Sequence, residues 1–442
     1  MQWNFKVCSY MKKDVEVSIN RFKAVNKADI QLNGITVLSG INGSGKSTIS
    51  KLLYYTFKYA NEFETIVRKF IEQKLDSIDY FAFRLSMEGR RFDDENDNLR
   101  KLYNQYRSDE ISLERKVEYL LKLFRESRDL LNIESQNKNG QDRFSKDRYI
   151  RIIKNILNIK EDRSLDDLFD EVISYVQRVF EQANKAIEDR KYAMFKQFLE
   201  EKLGASMDSI CINEYGYPFV GTDVKTIPIM EYIQQVVYID TPMFVGSNTT
   251  YATDYWADLD LLLRKTPTMI SSEIFIDIME DIIHGRALCE EDSIGLSYRY
   301  YRKDGKVFDL FDSATGIKSF SILQMLLNNG SINKNTLLII DEPEAHLHPQ
   351  WIVEYARLIV LMHKHIGTKF FIASHSTDFV SAIKYIAVKE NCLDSLSYYL
   401  SEEDKDNPYM YNYRSLNTDI EPIFESFNKS FSLIDEYGAD NN

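Results

Sequence analysis

The sequence predicts an α/β fold in which a largely parallel sheet is split by a long, mostly helical insertion. Three observations predict it. Leu337-Leu338-Ile339-Ile340 and Phe370-Phe371-Ile372-Ala373 are continuous apolar runs, the pattern of strands buried on both faces. A glycine-rich stretch from Gly40 to Gly45 sits between a short apolar run and a segment with helical spacing. Residues 60–205 contain no proline, are rich in Glu, Lys, Arg, Leu, Ile, Phe and Tyr, and repeat apolar positions three or four apart.

Taken in order, Val15-Glu16-Val17-Ser18-Ile19 alternates apolar and polar residues and predicts a strand, and Ile35-Thr36-Val37-Leu38 predicts a second. Ile49, Leu52, Leu53 and Phe57 share one side of a helix over 48–59. Within the insertion, the polar runs at 92–98 and 135–141 predict breaks between helices. No heptad run there is long enough for an extended coiled coil. Val236-Val237-Tyr238-Ile239-Asp240 predicts a strand, and residues 255–290 a second helical patch. Ile294 to Leu310, turning at Asp304-Gly305, predicts a hairpin. Helices over 317–328 and 350–365 then alternate with the two buried runs in a βα rhythm.

Composition narrows the function classes. The 442 residues are 44% hydrophobic and 28% charged, the balance of a folded chain able to bury a core. A net charge of −13 excludes a protein that coats nucleic acid over its whole surface, because neutralising phosphate takes clustered Lys and Arg. No stretch reaches the roughly 20 apolar residues of a membrane span, and Met1-Gln2-Trp3-Asn4-Phe5-Lys6 lacks the apolar core of a secretion signal. A cytoplasmic protein without a membrane partner is expected. Cys8, Cys211, Cys289 and Cys392 are too far apart for a zinc or redox motif and read as small buried apolar residues.

Gly40-Ile41-Asn42-Gly43-Ser44-Gly45-Lys46-Ser47 fits G-x-x-x-x-G-K-[ST] between a predicted strand and a predicted helix, the context that phosphate loop requires. Its glycines let backbone N–H groups curl toward phosphate oxygens at a helix N-terminus. Lys46 would reach the β and γ phosphates of ATP and Ser47 would hold Mg²⁺. Gly40, Asn42, Gly43, Ser44, Gly45 and Thr48 complete the candidate nucleotide-binding set. Leu338-Ile339-Ile340-Asp341-Glu342-Pro343 is an apolar strand ending in two carboxylates whose side chains point opposite ways. Asp341 would contact Mg²⁺ and Glu342 would polarise the attacking water.

Ser374-His375-Ser376 follows a buried run, where a histidine at the strand's C-terminal edge can contact the γ-phosphate. Ser313-Ala314-Thr315-Gly316 opens a predicted helix; it is either an anion site or an ordinary helix cap. His346 and His348 suggest a metal, but Glu344 and the helix-starting Pro349 favour a structural or interface role. Arg143, Lys146, Arg148, Arg151 and Lys154 are a solvated helix face or a local nucleic-acid contact.

In the order Gly40 to Ser47, Ser313-x-x-Gly316, Asp341-Glu342-Pro343-Glu344-Ala345-His346-Leu347-His348-Pro349 and Ser374-His375-Ser376, the chain resembles the ATP-binding-cassette ATPase heads of the SMC, RecF and OLD families. The D-E-P-E-x-H-L-H-P form points to the OLD-like branch. Residues 1–60 and 290–390 carry the likeness. It implies a P-loop NTPase fold: an ABC-type head from 1–60 and 230–400 with a helical patch at 255–290, a mostly helical insertion at 61–229, and a tail at 401–442. It also implies ATP and Mg²⁺ as cofactors and a homo-oligomer through the heads. In that dimer the phosphate loop of one subunit binds ATP, and Ser313 and Gly316 of the other cap it.

The compact size is similar to stand-alone ATPase subunits of bacterial anti-phage systems such as PARIS and Septu. That likeness implies ATP hydrolysis by Glu342, Lys46 and His375 in control of a separately encoded nuclease effector, with a phage-derived protein or DNA as trigger. OLD proteins carry a C-terminal Toprim nuclease; the stretch after His375 is too short for one, and Asp404-Lys405-Asp406 is only a weak D-x-D pair. The family's Mg²⁺-sensing glutamine has no clear match among Asp240, Gln234 and Gln235. A RecF-like DNA-repair ATPase that binds DNA directly and a non-hydrolysing ATP-dependent scaffold remain as alternatives, whereas the insertion fits a transporter subunit poorly.

Overall fold

The computed structural model describes residues 15–88, 98–108, 111–137, 143–241, 253–268, 273–292, 295–345, 347–427 and 436. Cys8, His346 and the greater part of the two expected polar breaks lie outside them. In chain order the strands are β1 (Val15–Phe22), β2 (Val25–Leu32), β3 (Ile35–Ser39), β4 (Ile210–Glu214), β5 (Tyr217–Val220), β6 (Gln235–Ile239), β7 (Gly285–Asp292), β8 (Gly295–Arg302), β9 (Val307–Asp309), β10 (Thr336–Asp341), β11 (Lys369–Ser374), β12 (Leu396–Glu403) and β13 (Tyr411–Asn417). The helices are α1 (Lys46–Asn61), α2 (Phe63–Glu88), α3 (Asn98–Arg107), α4 (Leu113–Asn137), α5 (Arg143–Leu157), α6 (Leu165–Asp189), α7 (Tyr192–Leu203), α8 (Asp254–Leu263), α9 (Glu273–Ile283), α10 (Thr315–Asn328), α11 (Pro349–Ile366) and α12 (Thr377–Lys389). The α/β fold with a long helical insertion is as the sequence predicts.

Two compact units result, residues 62–191 and the remainder of the chain. The larger unit is built on a ten-stranded sheet in the order β5-β4-β1-β2-β13-β12-β3-β11-β10-β6. The run from β12 to β6 is parallel, and every residue of β3, β10 and β11 is buried, which is why those strands read as unbroken apolar runs. β1, β2, β4 and β5 form an antiparallel meander in which β1 alternates buried and exposed positions.

The sheet takes in β4 and β5, which fall within the stretch 61–229, while β12 and β13 carry it into 401–442. These strands are short or end-loaded with polar residues, and what fixes them is pairing with distant partners rather than local pattern. The expected hairpin exists as β8 and β9, turning at Gly305 with φ +84°; the patch expected to be helical over 255–290 ends with α9 at Ile283, and its last residues enter β7, which pairs with β8 to make a separate three-stranded antiparallel sheet. The described cysteines, Cys211, Cys289 and Cys392, are unpaired and half-buried rather than buried, and burial pushes each thiol above its ordinary pKa. No described helix is long and apolar enough to cross a membrane.

The unit at 62–191 is helical among its described residues, with α2 to α6 burying apolar positions one turn apart. On α2 these are Phe63, Val67, Ile71, Leu75, Ile78, Phe81, Ala82 and Leu85. Phe81 is at the centre: its ring stacks on Phe124 of α4 at 5.6 Å and meets Tyr149 of α5 edge-on and Phe169 of α6 at a tilt. Ser164 caps α6 by accepting from the Asp167 N–H, and the helix ends at Arg190 in the left-handed conformation. Of the basic cluster, Lys154 pairs with Asp162 at 2.6 Å; the side chains of Arg143 and Lys146 lie outside the described residues. Because Phe81 joins four helices, Phe81→Ala is expected to cost about 3–5 kcal/mol. Chemical denaturation of the variant reads that cost, and a loss below about 1 kcal/mol would remove Phe81 from the centre of this core.

Candidate functional site

The parallel register brings three segments to one edge of the sheet. Ser39 at the end of β3 pairs with Ser374 of β11, and Ala373 of β11 pairs with Asp341 of β10. The chain therefore leaves β3 into the loop 40–45, leaves β10 at Glu342 and leaves β11 at His375, all side by side.

The loop is shaped by its glycines. Gly43 and Gly45 have φ of +83° and +95°, conformations that tilt successive N–H groups into one concavity. A Cβ on Gly45 would lie 2.8 Å from Cγ2 of Val25, and one on Gly40 would collide with Oγ of Ser401. Asn42, Gly43 and Ser47 are exposed, Gly45 and Thr48 half-buried, and Ser44 and Lys46 buried. Lys46 Nζ donates to the carbonyls of Gly40 at 2.8 Å and Ile41 at 3.0 Å, which holds its ammonium across the mouth of the loop. Burial lowers the pKa of Lys46, opposed by the carboxylates of Glu342, Asp341 and Glu344 in that order.

Asp341 is buried and engaged at both oxygens: Ser50 Oγ donates to Oδ1 at 2.5 Å and Tyr238 OH to Oδ2 at 2.7 Å. The Ser47 hydroxyl also acts to lower the pKa of this carboxyl. Burial raises the pKa of Asp341, and these hydroxyls offset part of that rise. The sequence does not single out Ser50 or Tyr238. Ser50 lies one helical turn beyond Lys46, a signal that was present; Tyr238 depends on β6 pairing with β10, where it sits opposite Ile339 and so on the face of Asp341.

Glu342 has φ +49°, uncommon for a residue with a side chain, and its N–H donates to the Ala373 carbonyl at 2.8 Å. The chain then turns, with Ala345 N–H bonded to the Glu342 carbonyl, and this returns Glu344 to the end of β11. Oε1 of the buried Glu344 accepts from Ser374 Oγ at 2.9 Å and from the His375 backbone N–H at 2.8 Å. Nδ1 of His375 lies 3.5 Å from Oε1 of Glu342 and 3.4 Å from Oε1 of Glu344. Loop 40–47, Asp341, Glu342 and His375 thus share one site.

The other candidates sit elsewhere in the unit. Ser313 precedes α10, its hydroxyl bonded to the Asp309 carbonyl, and Ala314 at the helix cap supplies no side-chain bond. Gly316 is buried beneath the Trp351 ring. His348 is exposed and caps α11 by accepting weakly from the Gln350 N–H, in keeping with a structural role; no cluster of metal-ligating residues occurs among the described residues. Gln234 and Gln235 lie at the start of β6, the opposite end from Asp341, so of the three glutamine substitutes only Asp240 is at the site edge, where it accepts from Trp256 Nε1 at 2.6 Å. Asp404 accepts from Asn26, Asn412 and two backbone N–H groups, fastening a turn rather than pairing with Asp406 as a metal site.

A family model described as "AAA domain, putative AbiEii toxin, Type IV TA system" matches residues 35–381. Comparison with curated proteins gives no significant match. Among solved structures, the chain is similar to an SMC head domain with an extended coiled coil, bound to the C-terminal domain of ScpA, from Pyrococcus furiosus; the two are 10% identical over 96% of this chain and 98% of that one, with a TM-score of 0.33. It is also similar to the SMC head domain of Thermotoga maritima, at 11% identity over 91% and 99% of the chains and a TM-score of 0.34.

Gly316 gives a direct test of packing at the start of α10. An added Cβ would stand 2.7 Å from the Trp351 ring, so Gly316→Ala is expected to lose about 1–3 kcal/mol of stability. The loss should shrink when Trp351→Leu is present in the same chain. Equal loss in both backgrounds, read by denaturant titration, would show that the ring is not what the glycine accommodates.

Proposed function

The chain belongs to this AAA-domain family, and from that premise we propose that it binds and hydrolyses Mg-ATP at the edge formed by β3, β10 and β11. The convergence of loop 40–47, Asp341, Glu342 and His375 on that edge carries the reading. Gly40, Asn42, Gly43, Ser44, Gly45 and Thr48 line the phosphate loop, and the Lys46 ammonium exchanges its loop carbonyls for β and γ phosphate oxygens. The residues fit a divalent cation: the Ser47 hydroxyl acts on the Asp341 carboxyl, and together they offer a pair of oxygens of the kind Mg²⁺ takes. Mg²⁺ when bound neutralises charge on the phosphate oxygens. Glu342 accepts a proton from the attacking water, and His375 contacts the γ-phosphate, giving ADP and inorganic phosphate.

We further propose that two copies join through their heads, with Ser313 and Gly316 of one capping the nucleotide of the other, and that the ATP state controls a separately encoded effector, a nuclease in a cytoplasmic anti-phage system. The motif order and the D-E-P-E-x-H-L-H-P form support this, together with a family description that names a toxin–antitoxin system. The helical unit at 62–191 holds the effector or the phage-derived trigger on this reading, while the unit that carries the ten-stranded sheet makes the head.

Solution mass with and without Mg-ATP, together with phosphate release, tests the reading. Lys46→Ala is expected to lose ATP binding, and Glu342→Gln to keep binding, lose turnover at least 100-fold and hold the ATP-dependent assembly. ATP affinity unchanged in Lys46→Ala would sink the site assignment. An assembly that forms without nucleotide and ignores it would replace the switch with a constitutive scaffold.

A further inference from the structure

Glu344 has no part in the chemistry above, yet it is the most enclosed carboxylate facing His375. It is 9% exposed, and its Oε2 is buried with no hydrogen-bond partner. The carboxylate is therefore held through Oε1 alone, by the Ser374 hydroxyl and the His375 backbone N–H. The same oxygen stands 3.4 Å from the ring nitrogen Nδ1 of His375, with Oε1 of Glu342 at 3.5 Å from that atom. Both contacts are longer than a good hydrogen bond, and Nδ1, itself buried, has no other partner.

We infer that Glu344 is a positioning residue that sets the tautomer of His375, keeping a hydrogen on Nδ1 and leaving Nε2 as the nitrogen offered to a ligand. A neutral imidazole carries hydrogen on one nitrogen and a lone pair on the other. A lone pair on Nδ1 would face two carboxylate oxygens at 3.4 and 3.5 Å, too close for a water to stand between, a repulsion strengthened by the low local dielectric. A hydrogen there turns both contacts into attractions. Placing the hydrogen on Nδ1 fixes the role of Nε2: it accepts from a water or hydroxyl, and donates to an oxyanion only after gaining a second proton. A carboxylate that orients a histidine through the ring nitrogen remote from the reacting atoms is a recurrent device at hydrolytic and metal sites.

Glu344 is suited to this and Glu342 is not. Glu342 is 44% exposed at its side chain and is assigned to the attacking water, whereas Glu344 is 7% exposed and anchored on the backbone of the residue it orients. The left-handed turn at Glu342 makes the arrangement possible by doubling the chain back, so that two carboxylates two residues apart flank one ring atom. The functional consequence of the tautomer rests on the ATPase reading; the tautomer itself does not.

The test is nitrogen NMR of the histidine rings in the nucleotide-free protein, with His375→Gln identifying the His375 signal among the six histidines. Nδ1 is expected in the protonated state in the wild type. Glu344→Gln, which keeps the shape and an oxygen acceptor, should shift the population toward Nε2–H; Ser374→Ala, which removes a hydrogen bond from the same oxygen without changing charge, should leave it in place. Turnover of Mg-ATP in Glu344→Gln is expected to fall about 10–100-fold with ATP affinity within twofold of wild type. A wild-type ring protonated on Nε2 overturns the proposal without need of any variant, and so does an unchanged tautomer in Glu344→Gln. A wild-type protein that neither binds nor hydrolyses ATP overturns the ATPase reading instead, and leaves the tautomer result standing.

Discussion

The parallel pairing of β3 with β11 and of β11 with β10 is the constraint on which the site depends. Its register runs from Phe370 opposite Ile35 to Ser374 opposite Ser39, and from Leu337 opposite Lys369 to Asp341 opposite Ala373. A slip of one residue would turn each side chain to the other face of the sheet. Asp341 would then lose Ser50 and Tyr238, and Glu344 would no longer meet the end of β11. Because all three strands are buried on both faces, such a slip would also expose or misplace a full set of Ile, Leu and Phe side chains, each contributing about 1.5–3 kcal/mol when buried. The packing of the core thereby fixes the geometry of the polar edge.

The charges at that edge are unbalanced in a way that bears on what can bind. Lys46 is buried, and Glu342, Asp341 and Glu344 all act on it. One ammonium against three carboxylates is a poor host for a bare polyanion, since each oxygen of a triphosphate would meet like charge in a medium less polarisable than water. A divalent cation reverses the balance, as bound metals do wherever phosphates approach acidic side chains. For the nucleotide site proposed above, the arrangement therefore favours metal-bound nucleotide over free nucleotide.

Sequence alone locates the loop 40–47, Asp341, Glu342 and His375 because each has a local signature: glycines at fixed offsets, or a polar residue directly after an unbroken apolar run. The same is true of β3, β10 and β11 and of the helices between residues 60 and 205. Tyr238 and Glu344 carry no such signature, since one acts through a strand pairing 103 residues away from Asp341 and the other through a turn that only a left-handed residue permits. β2, β7, β12 and β13 were illegible for a related reason. Their sequences carry charged or polar residues at many positions, as in Glu290-Glu291-Asp292 or Ser401-Glu402-Glu403, and only their neighbours in the sheets make them strands. Gly316 was legible as a glycine at a helix start but not as the floor under Trp351.

The left-handed Glu342 links strain to chemistry. A non-glycine residue held there costs about 1 kcal/mol or more and persists only where its surroundings over-determine it. Here they do so from three directions: its N–H is bound to Ala373, its carbonyl accepts from Ala345, and two residues later Glu344 is anchored on Ser374 and His375. Two of the three restraints come from the end of β11, so relaxing the backbone that carries Glu342 would disturb the segment that holds His375 as well. Replacing Glu342 by glycine would relieve the strain but delete the carboxylate. Any side chain that keeps an acid at this position must accept the left-handed backbone, which is what brings Glu342 and His375 side by side.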